Sequence, residues 1–461
     1  MSDNIPFTTT QMTTAELSSV RSPWWRLQTD GVASFMGKLR ELLQFYVLNK
    51  RRTGDFVYLS SQVGTPIVGL VTNVIAAKYL LPYELGVIQT VMLVTVYCSF
   101  FHFGVFNGLN RNIAFYAAQN NQGKIQEMVD ASWLVAVINA VIGIFISAAV
   151  LAYFYINDYP GLYIYSVATI FGILVFLPIT THYETVYRGC RAFMPLGVSL
   201  NISSFTNLIF GFLPMVFGAA GVIFRYAAAQ LVSFLLLFRR CPVKPKAMGR
   251  RSEVLDLARV GFPMLITGIL YMFYTAADRT IVALTLGPSA VGELALSGMI
   301  ITAIQILPMS IGVLLYPRAS YIFGSEKSSL ALKRILIIGL LLNVMTVIPM
   351  CLVSYFCIGH IVERFLPNYV QGIGAAKIYS LASMFLIYFG VTMIFPVIRR
   401  NAPLIVGCIL SIVVMWLLGL VFVRNGFGIE GIAWARLITN AFMCLFVFAY
   451  AYYFTRREIK A

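Results

Sequence analysis

The sequence predicts an all-α integral membrane protein: twelve transmembrane helices in two six-helix bundles, related by a pseudo-two-fold along the membrane normal around a central cleft. Three observations predict this. Of 461 residues, 59% are hydrophobic and only 11% charged, with a mean hydropathy of +0.82. Soluble domains carry about 25% charged residues, so no core could absorb this apolar surface and lipid must. The apolar residues gather into twelve runs of the length, about 20 residues, that a helix needs to cross the hydrocarbon. Finally, the second six runs echo the first six.

The runs lie near 54–80, 85–104, 129–155, 162–184, 197–217, 219–238, 260–286, 289–316, 334–358, 370–395, 401–423 and 429–454. None shows the alternation of barrel strands, so each reads as a helix. Ahead of them, residues 1–53 form an N-terminal region whose first 20 residues are Ser/Thr-rich and read as disordered. Within it, Val32, Phe35, Met36, Leu39, Leu42, Leu43 and Tyr46 recur at helical spacing beside Lys38, Arg40 and the Lys50–Arg52 cluster, an interfacial amphipathic helix. Residues 54–238 make the first lobe, 239–259 a basic inter-lobe loop, 260–455 the second lobe and 456–461 a tail.

Charge placement orients the chain. Of 34 basic residues, 27 fall on one side of this topology. The positive-inside rule makes that side cytoplasmic, with both termini, as an even span count requires. The net charge of +16 therefore reports orientation and affinity for anionic membrane lipids rather than nucleic acid. The seven cysteines are scattered without a CxxC, and three separated histidines make no ligand motif, so neither a disulfide framework nor a metal site is expected. No GxxxxGK[ST] occurs, which removes a P-loop.

The repeat is carried by "LLPYELG" after the first span and "LGPSAVG" after the seventh: Pro82 and Gly86 against Pro288 and Gly292. Each following span ends at an arginine, Arg111 or Arg318. Six spans per half give a parallel repeat about an axis along the membrane normal.

Polar residues inside the spans mark the candidate site. The first span carries Ser61, Gln62, Thr65, Gly69, Thr72 and Asn73 on one face. That face serves either helix packing through small residues or a cleft lined by Gln62, Thr65 and Asn73. A charge near the bilayer centre costs at least about 2.5–3.5 kcal/mol. Lys78, Arg364 and Arg424 can snorkel from span ends; Arg225, Arg279, Lys377 and Arg436 lie deeper. Asp278 is the one acid well inside a span, about 25 Å along the helix from Gly261. Asp278 and Arg279 point about 100° apart, so each needs its own partner. The expected partner of Asp278 is a cation from another helix; Arg279 faces the cleft or a headgroup. Four cations against one acid favour anionic cargo, and arginine's fork suits phosphate. Tyr271 and Tyr274 share the face of Asp278, and Asn440 that of Arg436, as further substrate contacts.

The stretch "GFPMLITGILYMFYTAADRTIVALTLGPSAVGELALS", residues 261–297, resembles the seventh-span signature of polysaccharide flippases, a branch of the multidrug/oligosaccharidyl-lipid/polysaccharide exporter superfamily. "LPMSIGVLLYPRAS" (307–320), "FLPNYVQG" (365–372), "GIEGIAWARLITN" (428–440) and "FGVFNGLNRNIAFYAAQNNQGK" (103–124) resemble further segments of that family. The resemblance covers roughly 54–455. It implies a protein of the bacterial inner membrane that moves an undecaprenyl-diphosphate-linked oligosaccharide, an O-antigen, capsule or exopolysaccharide unit, by alternating access driven by an ion gradient. It implies no enzyme activity and no cofactor, and it implies partnership with polysaccharide polymerase and chain-length proteins. Asp278 is then the candidate for coupling to a proton or sodium ion. Three other readings are a cation-exporting multidrug antiporter, a peptidoglycan-precursor flippase and a membrane-embedded sugar polymerase or ligase. The first needs a carboxylate within the bundle, notably in the first span, whose centre is uncharged. The second is usually built on fourteen spans, and the third tends to have a large external loop, which this chain lacks.

Overall fold

A computed structural model describes residues 50–119, 121–325, 329–392 and 402–458. The N-terminal amphipathic segment and the last tail residues lie outside them. Among the described residues, eleven helical stretches are long and apolar enough to cross a membrane.

The first lobe comprises α1 (Lys50–Tyr79), α2 (Pro82–Cys98), α3 (Val105–Ala118), α4 (Gln122–Ile156), α5 (Gly161–Gly189), α6 (Phe193–Phe210) and α7 (Pro214–Arg239). The second comprises α8 (Arg251–Thr285), α9 (Pro288–Ser325), α10 (Ser329–Phe365), α11 (Ile373–Ser383), α12 (Ala402–Arg424) and α13 (Gly428–Glu458). The predicted second span, 85–104, is the one that falls short. It ends at Cys98 after 17 residues, because the chain breaks over Ser99–Gly104, where Phe103 (φ 46°) and Gly104 (φ 82°) are left-handed, before α3 resumes. The tenth span is also discontinuous: 3-10 turns at Pro367–Gly372 and Met384–Tyr388 flank α11, and a single α-turn, Phe389–Thr392, follows. A mid-helix 3-10 stretch frequently marks a functional position.

Local chemistry sets the helix starts. Pro82 begins α2, where a missing N–H costs nothing, and Glu84 accepts the Leu81 N–H (2.9 Å). Asn121 caps α4 by accepting from the Lys124 N–H (3.1 Å). Glu253 accepts the Arg250 N–H (3.0 Å), so α8 starts at Arg251, nine residues before the predicted span. Much of the expected loop 239–259 is therefore helix. What remains of that loop is strapped to the first lobe. The Asp130 carboxylate accepts the Lys246 N–H (2.8 Å) and Gln126 Nε2 (2.9 Å), and Gln126 Nε2 also donates to the Lys244 carbonyl (3.0 Å).

Packing repeats between the halves. In the first lobe α1 lies on α6, α4 on α5 and α5 on α7; in the second α8 lies on α12, α10 on α11 and α11 on α13. Each pair occupies the same ordinal span positions, so the helical repeat is one of tertiary packing as well as sequence. The lobes meet where α2 runs along α9 and α3 along α8. One core cluster crosses that seam, with Leu80, Leu85 and Ile88 of the first lobe packed among Ala295, Leu296 and Ile300 of the second.

Candidate functional site: a polar cleft between two helical lobes

Asp278 on α8 and Arg436 on α13 are 5% and 3% exposed and form a buried ion pair, Nη2 to Oδ2 at 2.8 Å. Arg436 Nε donates to the same oxygen (3.2 Å), Nη1 to the Tyr274 carbonyl (3.0 Å) and Nη2 to the Thr275 carbonyl (3.3 Å). The Tyr379 hydroxyl on α11 donates to Asp278 Oδ2 (2.7 Å), and Asp278 Oδ1 accepts the Arg279 N–H (2.7 Å). Both ions are thus fully engaged, as buried charges must be. The guanidinium also stands 5.1 Å from the Tyr274 ring centroid. The Tyr274 hydroxyl donates to Asn440 Oδ1, and Asn440 Nδ2 donates to the Ala382 carbonyl (3.0 Å). This network ties α8, α11 and α13 into one wall.

The expected cross-helix partner of Asp278 is therefore Arg436, which withdraws Arg436 from the set of free cations. Arg279, one residue on, turns away as the 100° step requires and projects over Gly298 of α9: a Cβ placed there would lie 2.6 Å from Arg279 Nη2. Arg279 is exposed within the cleft and makes no ion pair among the described residues.

The cleft has two chambers. One, of about 220 Å³, lies against the second lobe and is lined by Tyr271, Tyr274, Asp278, Arg279, Tyr379, Tyr388, Gln305, Arg436 and Asn440. The other, of about 150 Å³, lies between the lobes and is lined by Asn73, Gln89, Thr95, Tyr226 and Arg279. Arg279 and Thr302 line both, so the chambers meet at this arginine. A larger cavity of about 360 Å³ sits beside the α2–α3 break, among Phe100, Phe106, Ile142, Leu177, Met264 and Ile269; no charged side chain lines it.

The remaining predicted residues separate. Asn73 lines the cleft and accepts from Arg225 Nη2 (3.2 Å). Arg225 on α7 is 2% exposed, lies 4.5 Å from the Tyr226 ring, and leaves Nε and Nη1 without a partner among the described residues. It stands behind the cleft wall. Two of the three expected first-span positions are not on that wall. Thr65 bonds Ser204 of α6 (2.7 Å), which is helix packing, and Gln62 is exposed outside the cavity lining. Lys377 is not in the cleft either. It sits beside Gly359 of α10, because it lies two residues from Tyr379 and so about 200° around α11. Sequence reading missed Tyr379, Tyr388, Gln305 and Gln89. Tyr379 could have been found as the polar group opposite Lys377 on its helix.

The match to a family model described as "Polysaccharide biosynthesis protein" spans residues 52–323, more than half of the chain. The chain belongs to this family. Solved structures with the same fold include an inward-facing multidrug resistance MATE family transporter (TM-score 0.72, 13% identity, covering 88% of this chain and 99% of that one). Another is the lipid II flippase MurJ in an inward closed conformation (TM-score 0.65, 17% identity, 85% and 86% covered). A third is a MOP superfamily transporter from Pyrococcus furiosus described as having a binding pocket of reversed polarity (TM-score 0.61, 14% identity, 88% and 96% covered). No curated protein matches. The chain is therefore a multi-pass helical membrane protein of the polysaccharide biosynthesis family, with the same fold as these transporters and this flippase.

Proposed function

We propose that this member of the polysaccharide biosynthesis family flips an undecaprenyl-diphosphate-linked oligosaccharide from the inner to the outer leaflet of the bacterial inner membrane. The observation that carries the reading is the position of Arg279. It is a cation at the junction of both chambers, and among the described residues no carboxylate forms an ion pair with it. The wall around it offers phenols and amides, Tyr271, Tyr274, Tyr388, Gln305 and Asn440, which suit sugar hydroxyls and ring faces. Arg279 meets the diphosphate, whose two negative charges a guanidinium matches through paired hydrogen bonds. Arg225 adds positive potential from behind Asn73.

A drug-cation exporter needs a carboxylate available to its cargo. Asp278, the acid in the cleft, is already held by Arg436 and Tyr379. In this reading Asp278 keeps its role in ion coupling, because a proton or sodium ion reaching it must compete with Arg436 and would loosen α8 from α13. The orientation with basic loops and both termini in the cytoplasm, and the polymerase and chain-length partners, belong to the same proposal.

The test is translocation in proteoliposomes carrying a lectin-reactive lipid-linked oligosaccharide. The parent should move it to the lectin-accessible face, and Arg279→Ala should lower the rate at least about tenfold, the factor of one charge-assisted contact. An unchanged rate for Arg279→Ala would remove the cargo-binding assignment.

A further inference from the structure

The cavity of about 360 Å³ beside the α2–α3 break has no part in the polar cleft, and its chemistry is the opposite. α2 stops at Cys98 and the chain leaves the helix over Ser99–Gly104; the cavity lies between this break, α4, α5 and α8 of the other lobe. Its polar groups are mostly spent on their own backbone. The Ser99 hydroxyl donates to the Val96 carbonyl (2.9 Å), Asn139 Nδ2 donates to the Val135 carbonyl (2.8 Å), and His102 Nδ1 accepts the Gly104 N–H (3.2 Å). Asn107 and Thr181 complete the polar lining. Such a space suits hydrocarbon. Left empty, an apolar void forfeits dispersion contacts along its lining. Met264 and Phe101 of that lining are 51% and 38% exposed. Both belong to apolar runs of spanning length, so the mouth opens toward lipid.

One face of α8 joins this cavity to the cleft. Leu265, Gly268, Ile269 and Met272 line the cavity, and Met272, Ala276 and Arg279 line the chamber against the second lobe. The six positions recur at helical spacing and so form one stripe. It is apolar until its end, where it becomes cationic. Met272 belongs to both spaces. Its Sδ lies 3.9 Å from the Ser99 hydroxyl across the divide, and a thioether side chain adapts readily to what lies beside it. Arg279 stands seven residues beyond Met272, about 10.5 Å along the axis. A ligand that fills both spaces has an anionic head with a hydrocarbon tail directly behind it.

We propose that the cavity seats the polyprenyl chain of the lipid carrier whose diphosphate meets Arg279. The inference rests on the flippase reading and adds to it the place of the tail. The head selects this chain over the acyl chains of bulk lipid. Once the diphosphate is held at Arg279, the first isoprene units meet the cavity at the high effective concentration of a tethered group. α8 enters from the basic loops, so the head lies farther from those loops than the tail does. That is the polarity of a lipid in the outer leaflet, and the seat serves the carrier once its head has turned outward.

The experiment uses the full chain in lipid nanodiscs. The probe is undecaprenyl diphosphate carrying a diazirine on its third isoprene unit, photolysed and mapped by peptide mass spectrometry. Insertion should fall within residues 98–107 and 264–272. Unlabelled undecaprenyl diphosphate should displace it, and excess phosphatidylglycerol should not. Gly268→Leu plugs the cavity. A Cβ at this position has no described atom within 4 Å and leucine is the better helix former, so the variant folds. Denying the chain about ten carbon contacts should lower labelling about tenfold. Arg279→Ala should lower it as well, because the chain loses its tether. Parent labelling confined to other segments, or labelling unchanged in either variant, overturns the seat. So does a phosphatidylglycerol bearing an acyl-chain diazirine that labels the cavity and is not displaced by undecaprenyl diphosphate, which would make it a bulk-lipid site. Cavity labelling in a protein that moves no lipid-linked oligosaccharide would keep the seat and remove the flippase reading. Translocation by a parent whose cavity takes no label would do the reverse.

Discussion

Asp278→Asn tests the hub of the second lobe. The substitution preserves shape, so it opens no cavity, and its cost is electrostatic. In the parent, Arg436 is 3% exposed and its one counter-charge among the described residues is Asp278, 2.8 Å away. Asparagine leaves the guanidinium with the Tyr274 and Thr275 carbonyls at 3.0 and 3.3 Å and no opposite charge. Removing one partner of a buried pair costs about 3–5 kcal/mol. Removing both avoids the stranded ion, so Asp278→Asn/Arg436→Gln should lose less than the sum of its single variants, with a coupling of about 1–3 kcal/mol. Equilibrium unfolding in detergent micelles across the four proteins of this cycle measures both quantities, and flux in proteoliposomes reports function alongside. Additive losses, or an Asp278→Asn variant within about 0.5 kcal/mol of the parent, the usual span for an inconsequential substitution, would refute the view that this pair is one buried unit.

Arg279→Lys should retain part of the flux that Arg279→Ala loses, because lysine keeps the charge but not the fork; equal loss in both would assign the effect to geometry. Lys377→Ala should leave flux within about twofold of the parent, less than one hydrogen bond is worth, since the side chain packs toward α10 and away from the cleft; a larger loss would place Lys377 on the cargo's path. Thr65→Ala should lower stability by about 0.5–1.5 kcal/mol through the lost bond to Ser204, without changing flux in proteoliposomes. Asp130→Ala should release the inter-lobe strap and speed limited proteolysis between residues 241 and 249; an unchanged cleavage rate would mean that the neighbouring backbone contacts hold the strap by themselves.

The amino-acid order by itself determined the class of solvent, the all-helical class, the division into two lobes and the parallel repeat, while it ran the broken second span together as one. Each of these follows from local quantities: run length, charge between runs, and motifs at matched positions. It also determined that Asp278 and Arg279 could not satisfy each other, because one helical step separates their directions by about 100°. Tertiary structure decided which cations are free. Asp278 finds Arg436 across 158 residues, a pairing that no local periodicity encodes, and that choice leaves Arg279 facing the cleft. Arg225, Arg279, Lys377 and Arg436 were equivalent as charges in apolar runs; packing buries one behind Asn73, pairs one, turns one toward α10 and exposes one. The first-span polar stripe was readable as a face, but only the position of α6 showed that Thr65 packs a helix while Asn73 lines the cleft. The Pro-x-x-x-Gly motifs were legible as a repeat, and only the crossing of α2 with α9 revealed that the two copies are each other's contact, Gly86 against Pro288 and Gly292 against Pro82, because a glycine's role is set by what its missing side chain allows to approach.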